Sequence, residues 1–214
     1  MMAGRNRGEV SSERSPRKFA APARMNADVE LAFAPADTFA RLARERAHGQ
    51  VTAFAGRLLL ALTVIGTSVA VSATGRVSVE LVASIAASWS FALLVQAVAA
   101  AVVIVPARAR TVTRPRAFEL WFQAHVPWSL WFLLPPLYYV VVGRRLSDTV
   151  LFAAALIPMA WTAFLMRAFA RRVLQSPHAD IVTVVHQTVL WGLTLCYIAF
   201  AIGGWDRVLG EVGL

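Results

Sequence analysis

Between residues 117 and 143 the chain reads AFELWFQAHVPWSLWFLLPPLYYVVVG, with a single carboxylate and no lysine or arginine. A stretch this long and apolar is sufficient to cross a bilayer, whose hydrocarbon core asks for about 20 residues of helix. Similar runs lie on both sides of it, at residues 51–74, 79–105, 149–166 and 181–202. Without water to satisfy backbone groups, such runs are restricted to helices. The pattern therefore predicts an all-α fold, a polytopic transmembrane bundle of five spans.

Composition agrees. Of 214 residues, 58% are hydrophobic and 15% charged, and the mean hydropathy is +0.60. The formal charge of +9 does not call for nucleic acid, because the arginines sit in the amino-terminal segment and between apolar runs. Anionic lipid headgroups are the nearer partner there. Lys18 is the sole lysine among 21 basic residues, a usage that leans bacterial. Cys196, alone and inside the last run, excludes an intramolecular disulfide and a cysteine metal cluster.

Four regions are expected. Residues 1–34 form a flexible basic cytoplasmic tail, too poor in large apolar groups to fold alone and without the apolar stretch and cleavage site of a signal peptide. Residues 35–50 form an amphipathic interfacial helix, with Asp37 as a cap and Phe39, Leu42 and Ala43 opposite Arg41, Arg44 and Arg46. Residues 51–203 form the membrane domain, and residues 204–214 a short external tail. The prolines Pro135, Pro136 and Pro158 are expected to kink or break the third and fourth spans. Gly66 and Ala70 in the first span, facing Ala83, Ser84, Ala87 and Ser88 in the second, predict a close helical hairpin.

Basic residues set the orientation. With the amino terminus inside, the inner segments hold Arg41, Arg44, Arg46, Arg57, Arg108, Arg110, Arg114, Arg116, Arg167, Arg171 and Arg172. The outer segments hold only Arg76, Arg144, Arg145 and Arg207. The expectation is a bacterial cytoplasmic (inner) membrane protein with its carboxyl terminus outside. Trp121 at the inner edge of the third span and Trp205 beyond the fifth fit interfacial anchors. Arg108, Arg110, Arg114, Arg116, Arg167, Arg171 and Arg172 are the candidate lipid-headgroup ligands.

On this topology His125 lies about 10 Å into the third span and His186 at a similar depth in the fifth, taking a rise of about 1.5 Å per residue. Two imidazoles at one level can ligate a haem or a chlorophyll-type pigment. They can equally be satisfied by water, lipid phosphate or a carbonyl, or can handle protons. Gln96, Gln123 and Gln187 are the strongest neutral polar groups inside spans, and a hydrogen-bonded cluster of them would hold helices together. Glu80, Glu119, Asp148 and Asp180 sit at span edges, so the carboxylate that an ion-coupled pump needs is missing from the interior. Trp89, Trp128, Trp131, Trp161 and Trp191 lie deeper than an interfacial belt, to fill space or to line a pocket. Nucleophile-elbow, zinc-protease, P-loop and dinucleotide fingerprints are absent.

The segments PADTFARLARE before the first span, RPRAFELWFQAHVPWSL entering the third and IPMAWTAFLMRAFARRV closing the fourth resemble, in order and spacing, the Yip family of five-span membrane proteins. That resemblance implies a cytoplasmic amino-terminal region, five clustered helices, a helper role and no catalytic residue. The leading functional expectation is a non-enzymatic accessory or scaffold subunit with no resident cofactor, packed against anionic lipid and against other membrane proteins or itself. A small transporter or permease component is the alternative, and a haem- or pigment-binding subunit using His125 and His186 a further one.

Overall fold

The computed structural model describes residues 27–45, 50–107 and 111–201. It is all-helical among these residues: α1 (Ala27–Phe33), α2 (Pro35–Arg44), α3 (Gln50–Thr74), α4 (Val79–Ile104), α5 (Arg114–Gln123), α6 (Val126–Val142), α7 (Asp148–Arg172) and α8 (Ala179–Ala201). Five helical stretches are long and apolar enough to cross a membrane, with α5 and α6 together making the third. Their outward faces are apolar too: Leu94 is 66% exposed, Phe164 69% and Val140 81%. Such a surface is stable against lipid and not against water. The chain is an integral membrane protein.

Hydroxyls on the spans satisfy themselves. Thr63, Thr67, Thr188 and Thr194 each donate to the carbonyl four residues back, at 2.8–3.0 Å, which pairs these four donors within their own helices. Helix ends are closed by the same accounting. Gly143, at φ 74°, ends α6 in the left-handed conformation. Two residues beyond it, Arg145 donates to the carbonyls of Ser72 and Ala73 at 3.1 and 2.9 Å, placing a cation on the last turn of α3.

The α3–α4 hairpin forms where Gly66 allows it. A Cβ there would stand 2.7 Å from the Val82 carbonyl oxygen and 3.1 Å from the Ala86 methyl. The α4 face in contact is thus Val82, Ala86 and their neighbours Ile85 and Trp89. Ala83, Ser84, Ala87 and Ser88, expected on that face, are turned outward and exposed.

The third span differs from expectation in where it breaks. α6 runs without interruption through Pro135 and Pro136. The break falls earlier, at Ala124 and His125, where His125 has φ −92° and ψ 9° and the amide bonds tighten to the third residue back. Pro127 explains it: the proline has no N–H for the Gln123 carbonyl and its ring crowds the preceding turn. Pro158 likewise leaves α7 continuous, and that helix extends to Arg172 rather than ending near residue 166.

At the arginine-rich end, α1 and α2 fold back on the bundle. Helix α1 falls within the segment read as tail. Asp37 lies in the first turn of α2 without capping it; the cap position is Ala34. Phe39 is fully buried with its ring 5.8 Å from Phe169 of α7, so the apolar face of α2 is spent on protein rather than on headgroups. Trp161 donates to the Ala32 carbonyl at 2.9 Å, and Arg41 pairs with Glu30 and Glu45. Trp121 is not an interfacial anchor: it is 0% exposed, edge-on to Phe169 at 5.8 Å. Residues 1–26 of the tail, Arg46, Arg108, Arg110, Trp205, Arg207 and residues 204–214 lie outside the described residues.

Candidate functional site

The bundle encloses a cavity of about 440 Å³ bounded by α3, α4, α5, α6 and α8. Its deeper walls are aromatic. Trp128 and Trp131 pack edge to face at 5.5 Å, and Trp131 meets Tyr197 at 5.1 Å and Phe132 at 5.1 Å. Tyr197 is held by its hydroxyl, 2.8 Å from Ser68 Oγ and 3.2 Å from Ser72 Oγ. Of the five deep tryptophans, Trp89, Trp128 and Trp131 line this cavity. Trp161 serves α1, and Trp191 packs 6.3 Å from Phe152.

The polar groups in the wall are poorly paired. Gln96 is 5% exposed, and neither its Nε2 nor its Oε1 has a hydrogen-bond partner among the described residues. The indole N–H groups of Trp128 and Trp131 are also buried without an acceptor. Each such group costs about 1–3 kcal/mol of lost solvation, and natural interiors contain few of them. Gln123, 7% exposed, shares the wall. The three glutamines do not form one cluster: Gln96 and Gln123 face the cavity, whereas the Gln187 amide lies 3.5 Å from His186 Nδ1.

At the end toward α5 the cavity meets charge. Glu119 is held by Arg116 at 2.6 Å and lies 3.9 Å from Arg57. Glu119 is not an edge residue in the sense its position suggested, since its side chain is 11% exposed and lines the cavity with Arg57. From sequence Glu119 stands only two residues inside the apolar run; the helix start at Arg114 is what puts it more than a turn inside α5.

The two histidines meet. His186 is fully buried, and its Nε2 lies 3.0 Å from Nε2 of His125. His125 Nδ1 lies 3.0 Å from the Trp121 carbonyl, which can only accept. With neutral rings this assigns the tautomers: His125 carries its proton on Nδ1, and His186 donates from Nε2 to His125 Nε2. The equal depth expected from sequence is thus a direct bond across α6 and α8. Trp121 stacks edge-on to His186 at 5.1 Å. A metal between two imidazoles needs about 2.0–2.1 Å to each nitrogen, so the rings would have to move apart by about 1 Å to admit an ion, and a macrocycle around that ion would need open space beside the pair, where Trp121 now packs. Among the described residues no group of three or more His, Cys, Asp or Glu is placed to hold a metal.

The candidate headgroup arginines divide. Arg116 turns inward, with Nη2 donating to the Leu42 carbonyl at 3.0 Å and Nη1 on Glu119, so it joins α2 to α5 rather than reaching lipid. Arg114 is exposed. Arg167, Arg171 and Arg172 surround one groove with Ala36, Phe164 and Ala168, and Arg167 is paired with Asp180 at 2.9 Å. Comparison of the chain with protein-family models, curated proteins and solved structures finds no match in any of the three.

Proposed function

We propose that this protein binds an apolar small molecule between its spans, as a non-enzymatic membrane binding protein whose arginine-rich end faces the cytoplasm. One observation carries the reading: among the described residues, Gln96 and two indole N–H groups are buried without partners in the wall of a largely apolar cavity. A ligand whose head brings hydrogen-bond acceptors offsets part of that cost where the Gln96 amide N–H turns toward it, and the surrounding aromatic faces suit its hydrocarbon part. The test is photolabelling of the full chain in lipid nanodiscs with an alkyl probe carrying a diazirine. The proposal expects competable labelling of peptides that contain residues 92–96 and 128–132. Labelling confined to outward residues such as Val140 and Val141 would refute it.

A second reading, the accessory subunit, is favoured by the outward small-residue face of α4. Ala83, Ser84, Ala87 and Ser88 are exposed there, and such faces let a second helix approach closely. Leucine at both Ser84 and Ser88 should then release a co-purifying membrane partner. Retention of the partner by this double variant counts against the reading.

A further inference from the structure

We propose that the ligand of the cavity is a long-chain carboxylate, its head held by Arg57 and its chain laid along Trp128 and Trp131. This rests on the ligand-binding reading and adds the sign of the headgroup charge. Among the described residues, the ionised groups at the mouth are Arg57, Arg116 and Glu119, two cations and one anion. Arg116 is committed, at 2.6 Å to Glu119 and 3.0 Å to the Leu42 carbonyl, with a side chain 10% exposed. Arg57 is not. Its one polar contact among the described residues is Glu119 at 3.9 Å, beyond hydrogen-bond length, and its side chain is 48% exposed.

A guanidinium has five donors in a planar fork that matches a carboxylate with two parallel bonds. Placed in the first turns of an apolar span, with its neighbour's charge already taken by Arg116, it leaves one positive unit at the mouth. A singly charged head fits that balance. A dianionic phosphate brings an extra charge toward Glu119, and a neutral head leaves Arg57 as it stands. Beyond these charges the wall is mostly apolar, with Trp89, Trp128, Trp131 and Tyr197 in it. A volume of about 440 Å³ is toward the small end of ligand pockets and suits one chain better than a diacyl lipid.

The experiment uses the full chain in nanodiscs and follows tryptophan fluorescence, quenched by dibromostearate or by the matching brominated alcohol. Wild type should show saturable quenching by the carboxylate, reversed by plain stearate. Arg57→Gln should weaken carboxylate binding roughly tenfold or more while leaving the alcohol's binding unchanged. Should Arg57→Gln fail to assemble, Glu119→Gln provides the opposite arm: with the competing anion removed, it should tighten carboxylate binding. Equal carboxylate affinity in wild type and Arg57→Gln, or weaker binding in Glu119→Gln, overturns the carboxylate and leaves the cavity as a site for neutral ligands. Absence of saturable quenching by either amphiphile overturns the ligand-binding reading itself.

Discussion

Gln96 is the residue whose replacement separates a site from a structural glutamine. Methionine has nearly the same length and volume, fills irregular space, and has no amide to solvate. Among the described residues, the wild-type side chain has one donor group and one acceptor without a partner at 5% exposure. Each unsatisfied group costs about 1–3 kcal/mol in a protein interior. The unfolded chain in a membrane also finds partners, which reduces the difference. Gln96→Met should therefore stabilise the ligand-free protein by roughly 1–2 kcal/mol, a factor of about 5–30 in the folding equilibrium. The same variant should bind the competable alkyl probe more weakly. The assay is reversible denaturation in mixed micelles after delipidation, followed by near-ultraviolet circular dichroism, beside the photolabelling yield. A variant that is less stable than wild type would show that the amide is satisfied in the native protein, and the argument from its isolation would fall.

Three other perturbations probe the frame around the cavity. Gly66→Val puts two methyl groups where even a Cβ stands 2.7 Å from the Val82 carbonyl oxygen, and should cost about 1–3 kcal/mol in the same denaturation assay. Gly56→Ala, with nothing within 4 Å of its new Cβ, should be neutral or stabilising by up to about 1 kcal/mol. Leucine at His186 alone strips His125 Nε2 of its donor and should cost about 1–3 kcal/mol, whereas leucine at both positions should recover part of the loss. A double-mutant cycle on that pair should then read a coupling of about 0.5–3 kcal/mol, and additivity would contradict the bond. For orientation, in a Cys196→Ser background a cysteine at Thr113 should react with an impermeant thiol reagent only from the cytoplasmic side and one at Ser147 only from the other. The reverse pattern would invert the proposed topology.

Much of the architecture was legible because length and apolarity leave few alternatives. A run of twenty apolar residues in lipid must be helical, so five runs gave five spans, with α3, α4 and α8 starting or ending within two residues of the expected limits. The equal depth of His125 and His186 was legible for a similar reason, since rise per residue fixes depth once two helices start from the same side; that their rings bond to each other was not. Rotation was not legible. A helix that is apolar all round carries no periodic signal for which face turns inward, and so Ser84 and Ser88 were assigned to the wrong side of α4 and Trp121 to the interface. Proline position was a weak guide too, since a helix can continue through Pro135 and Pro136 while breaking ahead of Pro127. The inward turn of Arg116 and Glu119 depended on α2 docking beside α5, a tertiary event that neither segment announces.

A small molecule carried by this bundle adds its mass to the intact particle. The chain would be released gently from its native membrane and weighed by native mass spectrometry, with every bound species then dissociated and identified. One tightly held amphiphile per chain is expected, lost when Gln96→Met or Arg57→Gln is weighed the same way. A particle of bare protein mass, or one whose only companion is another polypeptide and whose retained lipid is indifferent to both substitutions, would contradict it.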